Sequence, residues 1–242
     1  MKIEKIKEEK KKNKLSILLK DTDEVFANAI RRLILEEVPT LAVEDLEIKE
    51  NNSALYDEFL AHRLGLVPLK NDSIALKNDE TIELKLKTKG GGEPMEVLSG
   101  ELGDLVVHKA IPLVLLEGDQ AIELVAKAKV GKGINHSKFT PGMMHYTHFP
   151  EIKISGPAEK NFELADNFPL IFEFDGKLKV KDASYCDLDQ EDLKGQKGVE
   201  ISFGKKLIIF IESWGQLNPR KILIGSCKAL RSNLAEISKK IK

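Results

Sequence analysis

At 242 residues, 42% hydrophobic and 32% charged, the chain is too apolar to be disordered and long enough to bury one sizeable core or two modest ones. Lysine and arginine number 38 against 39 aspartates and glutamates, which excludes the bulk positive field that holds nucleic acid by phosphate neutralisation and favours protein partners. Two cysteines cannot make a disulfide framework, and with no signal-type apolar region and no run long enough to span a membrane, a cytoplasmic protein is expected.

In chain order, alternation around Ile3 and Ile6 and again through Leu15, Ile17 and Leu19 predicts a hairpin, with the lysine-rich residues 7–14 as a solvated turn. A helix follows. Asp21 with Glu24 three residues on reads as a capping box, and Val25, Phe26, Ala29, Ile30, Leu33 and Ile34 recur at helical spacing until Pro39. Asn28, Arg31, Arg32 and Glu36 fall on the opposite face. Residues 40–48 return to a strand pattern, and the long middle section reads as nearly all short strands, among them Ile82, Leu84 and Leu86, then Ile122, Leu124 and Ala126, then Ile152 and Ile154. Gly90 to Gly92 and the Gly131-Lys132-Gly133 run read as loops, the latter as a flexible connection. Further strands are expected at 170–174, 178–180, 199–203 and 207–211.

The last helix has Asn218 as N-cap and Pro219 at its first position. Leu223, Cys227, Leu230, Leu234, Ile237 and Ile241 then follow at alternating intervals of four and three, a heptad seam suited to lying along another helix. Packing on the chain's own sheet is the alternative, but the polar flanks make the stripe narrow, which favours a helix partner. The strand and helix pattern at both chain ends, absent from the middle, predicts an α+β protein: a discontinuous α/β domain at 1–43 and 199–242, an inserted β-rich domain at 44–157, and a small extension at 158–198.

Three segments carry a family resemblance. Residues 26–39, FANAIRRLILEEVP, contain an Asn-Ala-aliphatic-Arg-Arg core at 28–32; residues 51–69 read NNSALYDEFLAHRLGLVPL; residues 130–141 read VGKGINHSKFTP. In this order and spacing they resemble the alpha-like family of multisubunit RNA polymerases: the archaeal D-type member, its nuclear third-largest counterpart and bacterial alpha. The resemblance implies a dimerisation domain from both termini and, in many members, a ferredoxin-like extension. It also implies a non-catalytic scaffold that pairs with a small L-type subunit, joins the small N- and P-type subunits and recruits the large catalytic subunits. On that basis Phe26, Ile30, Leu33 and the seam from Leu223 to Ile241 are the dimer interface, and Arg31, Arg32, His62 and Arg63 dock a large subunit. Neither DNA contact nor membrane contact is implied.

Cluster-bearing relatives hold an iron–sulfur centre in the extension. Cluster spacing applied from Cys186 lands on Asp189, Asp192 and Gln196, and the upstream Cys-Pro of such relatives is Phe168-Pro169 here. One thiolate and hard carboxylates cannot hold a sulfide-bridged cluster, so the extension is expected to be degenerate and cluster-free. The zinc-binding cysteines of nuclear relatives are also missing after residue 69, so no zinc is expected. His145 and His148 lack the HExxH frame of a metal hydrolase and are expected in a loop or interface. Ser213-Trp214-Gly215 is not a nucleophile elbow, and Trp214 is expected as a packing anchor. With no nucleophile, base and orienting group in a recognisable frame, an enzyme or electron carrier is disfavoured, while a homodimeric adaptor stays open from the heptad alone.

Overall fold

The N-terminal alternation forms β1 (Lys2–Glu9) and β2 (Lys14–Lys20) in the computed structural model, which describes residues 1–71, 80–186 and 198–241. The turn between them is a short 3-10 segment, Lys10–Lys12, closed by Asn13 at φ 53, a left-handed position that asparagine tolerates. Next come α1 (Glu24–Glu36), β3 (Thr40–Asn51), α2 (Asp57–Gly65), β4 (Ile82–Lys89), β5 (Gly92–Leu98), β6 (Pro112–Gly118), β7 (Ala121–Gly131) and β8 (Gly142–Ile154). The chain then forms α3 (Glu163–Asn167), β9 (Phe172–Phe174), β10 (Leu178–Val180), β11 (Val199–Ser213) and α4 (Pro219–Ile241). The mixed α+β class holds. The two strands expected at 199–203 and 207–211 are one continuous strand, because Lys205 and Lys206 alternate within the same extended run without breaking it.

The middle section contains a helix that the strand reading missed. In α2 only Leu60, Leu64 and Gly65 are buried, and Tyr56 before it offers no side-chain cap, so nine residues carry too little periodicity to announce a helix.

Two compact units emerge. The first comprises Met1–Glu8, Ser16–Ala27 and His145–Phe210; the second comprises Glu9–Leu15, Asn28–Met144 and Ile211–Lys242. The largest sheet has the order β1-β2-β11-β8. A small core in the first unit gathers Leu164, Ile171, Phe172, Leu178 and Ile201.

In the second unit, β3-β7-β4 form an antiparallel sheet and β5 pairs with β6. Ile122, Leu124, Ala126 and Ala128 of β7 face a core shared with Leu41, Leu60, Leu64 and Leu116. The alternate residues carry cross-strand ion pairs, Glu123 with Lys49 and Lys87, and Lys127 with Glu47. This period-two division fixes the register, since a one-residue slip would put that charge into the core.

Candidate assembly surface

The N-terminus of α1 is capped by Asp23, whose Oδ1 accepts from the Phe26 amide at 2.8 Å. Asp21, expected in that role, sits instead at φ 57 in the turn before the helix, too early for its side chain to reach the third helical amide. The buried spine of α1 is Ala27, Ile30 and Ile34; Phe26 and Leu33 are half-buried, and Val25, expected on the apolar face, is 77% exposed. On the other side the Arg31 Nε donates to Asn28 Oδ1 at 3.0 Å and Arg32 pairs with Glu36 at 3.5 Å. Both are one-turn contacts that leave the guanidinium planes usable by another molecule.

Helix α4 begins as expected: the Arg220 amide donates to Asn218 Oδ1 at 2.9 Å. Its first half is seated by Pro219, Ile222 and Ser226, which are buried, with Gly225 permitting close approach of Val38. The heptad seam lies elsewhere on the surface. Leu223 and Leu230 are half-buried, Cys227 is exposed, and Leu234, Ile237 and Ile241 are 57%, 54% and 80% exposed. From residue 231 to 241 every side chain is exposed, so three turns of amphipathic helix have no cover from the described residues of this chain. Apolar side chains aligned and uncovered in this way are characteristic of association surfaces.

The third segment of the resemblance braces α1 rather than connecting flexibly. A Cβ on Gly133 would lie 1.8 Å from the Leu35 carbonyl oxygen, and one on Gly131 would meet the Phe139 ring at 2.6 Å. Thr140 Oγ1 donates to that same Leu35 carbonyl at 3.1 Å, the Ile134 amide to Glu36 O at 3.0 Å, and Lys132 pairs with Glu37 at 2.8 Å. The last carbonyls of α1, which have no intrahelical donors, are thus satisfied from residues 132–140. The glycine spacing therefore reflects close packing, of backbone at Gly133 and of the Phe139 ring at Gly131, which the spacing alone does not distinguish from a loop. Lys138 also pairs with Glu44 of β3; that hydrogen bond, with Lys129 beside it, holds the Glu44 carboxyl below its ordinary range.

On α2, His62 and Arg63 are both exposed, and Arg63 donates to the Pro112 carbonyl. Around them Tyr56, Phe59 and Leu66 are 74%, 61% and 51% exposed, an apolar patch that the sequence reading did not single out.

Among the described residues no group of three or more His, Cys, Asp or Glu side chains can hold a metal ion. Phe168 and Cys186 pack against the small core of the first unit, while Asp189, Asp192 and Gln196 lie outside the described residues. The two cysteines of the chain cannot supply the four thiolates of an ordinary cluster, so these residues do not fit one. His145 and His148 are on β8, not in a loop, and three residues along a strand put them on opposite faces. His145 stacks on Phe210 at 4.8 Å between ring centroids and His148 Nε2 lies 3.1 Å from Glu24. Trp214, expected as a packing anchor, is 39% exposed and lines a cleft.

Residues 16–109 match the family model described as the RNA polymerase Rpb3/Rpb11 dimerisation domain. Over 92% of this chain and 91% of its own length, DNA-directed RNA polymerase subunit Rpo3 of Thermococcus kodakarensis is 38% identical. Rpo3 of Pyrococcus furiosus is 40% identical over 92% and 90% of the two chains. The chain belongs to the Rpo3 family. A further relative, DNA-directed RNA polymerase II subunit rpb3 of Dictyostelium discoideum, is 31% identical over 94% of this chain and 91% of its own length. The span of the family model holds α1 and α2. No helix is long and apolar enough to cross a membrane, among the described residues.

Proposed function

We propose that this chain is the non-catalytic assembly subunit of a DNA-directed RNA polymerase, the alpha-like member lettered D in archaea, working in the cytoplasm. The observation that carries this reading is the uncovered heptad seam of α4, in a chain whose family is defined by a dimerisation domain. A small L-type subunit covers Leu223, Cys227, Leu230, Leu234, Ile237 and Ile241, together with the half-buried Phe26 and Leu33 and, behind them, Ile30. The pairing domain comprises residues 1–43 and 199–242, with 44–157 inserted and 158–198 a cluster-free extension. The heterodimer then joins N- and P-type small subunits, and Arg31, Arg32, His62 and Arg63 meet a large catalytic subunit. Arginine suits that task because its planar fork pairs with two carboxylate oxygens and desolvates more cheaply than lysine. Phosphodiester chemistry and its metal belong to the large subunits, and this chain needs neither metal nor DNA contact.

The test is reconstitution from purified subunits followed by gel filtration. Arg31→Glu with Arg32→Glu should leave the small heterodimer intact and lower incorporation into polymerase at least tenfold. Normal incorporation would move the docking surface away from α1.

A further inference from the structure

One buried polar atom has no partner among the described residues: Oε1 of Gln216, a side chain only 4% exposed. It lines a cleft of about 480 Å³ in the second unit, between the Lys10–Lys12 turn, the start of the Ser137–Phe139 turn and the link from β11 to α4. Lys11, Lys12, Lys138 and His108 share the lining with the half-exposed Trp214. Its carboxylate, Glu212, is already paired with Lys14 at 3.0 Å, and His108 Nε2 is engaged by the Trp214 carbonyl at 3.0 Å. The cleft therefore offers a buried acceptor, an indole surface and a lysine rim.

We propose that this cleft docks an acidic peptide segment of another polymerase subunit, with a peptide N–H donating to Gln216 Oε1 and a carboxylate meeting Lys11 and Lys12. The proposal rests on the assembly reading above. A free anion cannot fill the role, because it brings no donor to Oε1 and would be repelled by it. A nucleic-acid strand is disfavoured, because a few rim lysines on a chain with 38 basic against 39 acidic residues supply too little positive charge to hold a phosphate backbone. A peptide carries both the amide donor and the negative charge.

The experiment is photo-crosslinking in polymerase reconstituted from purified subunits of the same organism, with p-benzoylphenylalanine replacing Ser137, an exposed residue of the cleft lining that makes none of the proposed contacts. The expected product joins this chain to an Asp- or Glu-bearing segment of a second subunit. Gln216→Leu in the same background should lower the yield about tenfold, while leaving the melting temperature of the free chain unchanged or higher, since an unpaired buried acceptor is removed. Should that variant not fold, Lys12→Glu on the exposed turn serves instead, with about a threefold loss expected. An assembled polymerase without an intersubunit cross-link, a cross-link to nucleic acid, or a yield that neither substitution alters would overturn the proposal. Failure of the unsubstituted chain to enter a polymerase at all would sink the assembly reading instead.

Discussion

Gly133 shows how much a single missing Cβ can determine. With the Leu35 carbonyl oxygen 1.8 Å from where that carbon would stand, the obstacle is backbone, which cannot rotate aside. Gly133→Ala should lower the unfolding free energy by about 3 kcal/mol in a urea titration, at the upper end of overpacking effects; a loss under about 1 kcal/mol would mean the end of α1 moves easily. Glu44 makes a smaller and pH-dependent contribution. Its carboxyl is held below the ordinary 4.5 first by the hydrogen bond from Lys138, so its stabilisation is complete above that value and disappears as the pH falls through the lowered one. Because the pair is partly solvated, Glu44→Gln should cost only about 0.5 kcal/mol at pH 7. Denaturant curves for the two proteins should converge as the pH falls through the lowered value, and a difference persisting once the carboxyl is protonated would assign the effect to packing. At this scale the sequence shows residue type but not surroundings. Gly131 and Gly133 look like loop glycines until Phe139 and Leu35 are placed beside them, and the choice between Asp21 and Asp23 as cap depends on local backbone geometry.

Elements were legible where their pattern was long. The 23 residues of α4 show the four-three alternation, an N-cap and a helix-starting proline, and all three agree. Local signals that agree are strong because each constrains the same boundary. Helix α2 was invisible because its burial rests on Leu60 and Leu64 against the β3-β7-β4 sheet, contacts between residues far apart in sequence. The pairing of β5 with β6 escaped for the same reason, with register shifts blurring its alternation. For α4 the seam predicts a large effect. Burying each leucine is worth about 2 kcal/mol, so Leu230→Asp with Leu234→Asp should weaken binding of the small partner at least about a thousandfold. Co-expression and pull-down would show this as loss of the partner, with the circular dichroism of the free chain unchanged because Leu234 is exposed and Leu230 half-exposed there. Undiminished recovery would place the partner's contact away from this seam.

For the whole molecule, the mixed α+β class could be read from where helical and alternating patterns fall along the chain. The path of each unit could not, because each is assembled from three separate stretches joined by long-range pairing. Composition does reach this scale in one respect: two cysteines, Cys186 and Cys227, limit what metal chemistry the molecule can carry. Anaerobically purified protein should be colourless and hold less than about 0.1 iron or zinc per chain by elemental analysis, and about three or four irons, the content of a cubane-type cluster, would overturn this.

The bare last three turns of α4 also bear on how the molecule is supplied. An exposed apolar ridge is what chaperones hold and proteases recognise, and it favours self-association as concentration rises. A chain that is safe only when another protein lies along it has its lifetime set by that protein's abundance, so surplus copies are removed or aggregate while paired ones persist. Stoichiometry would then be enforced after synthesis by the same helix face that we propose for the pairing.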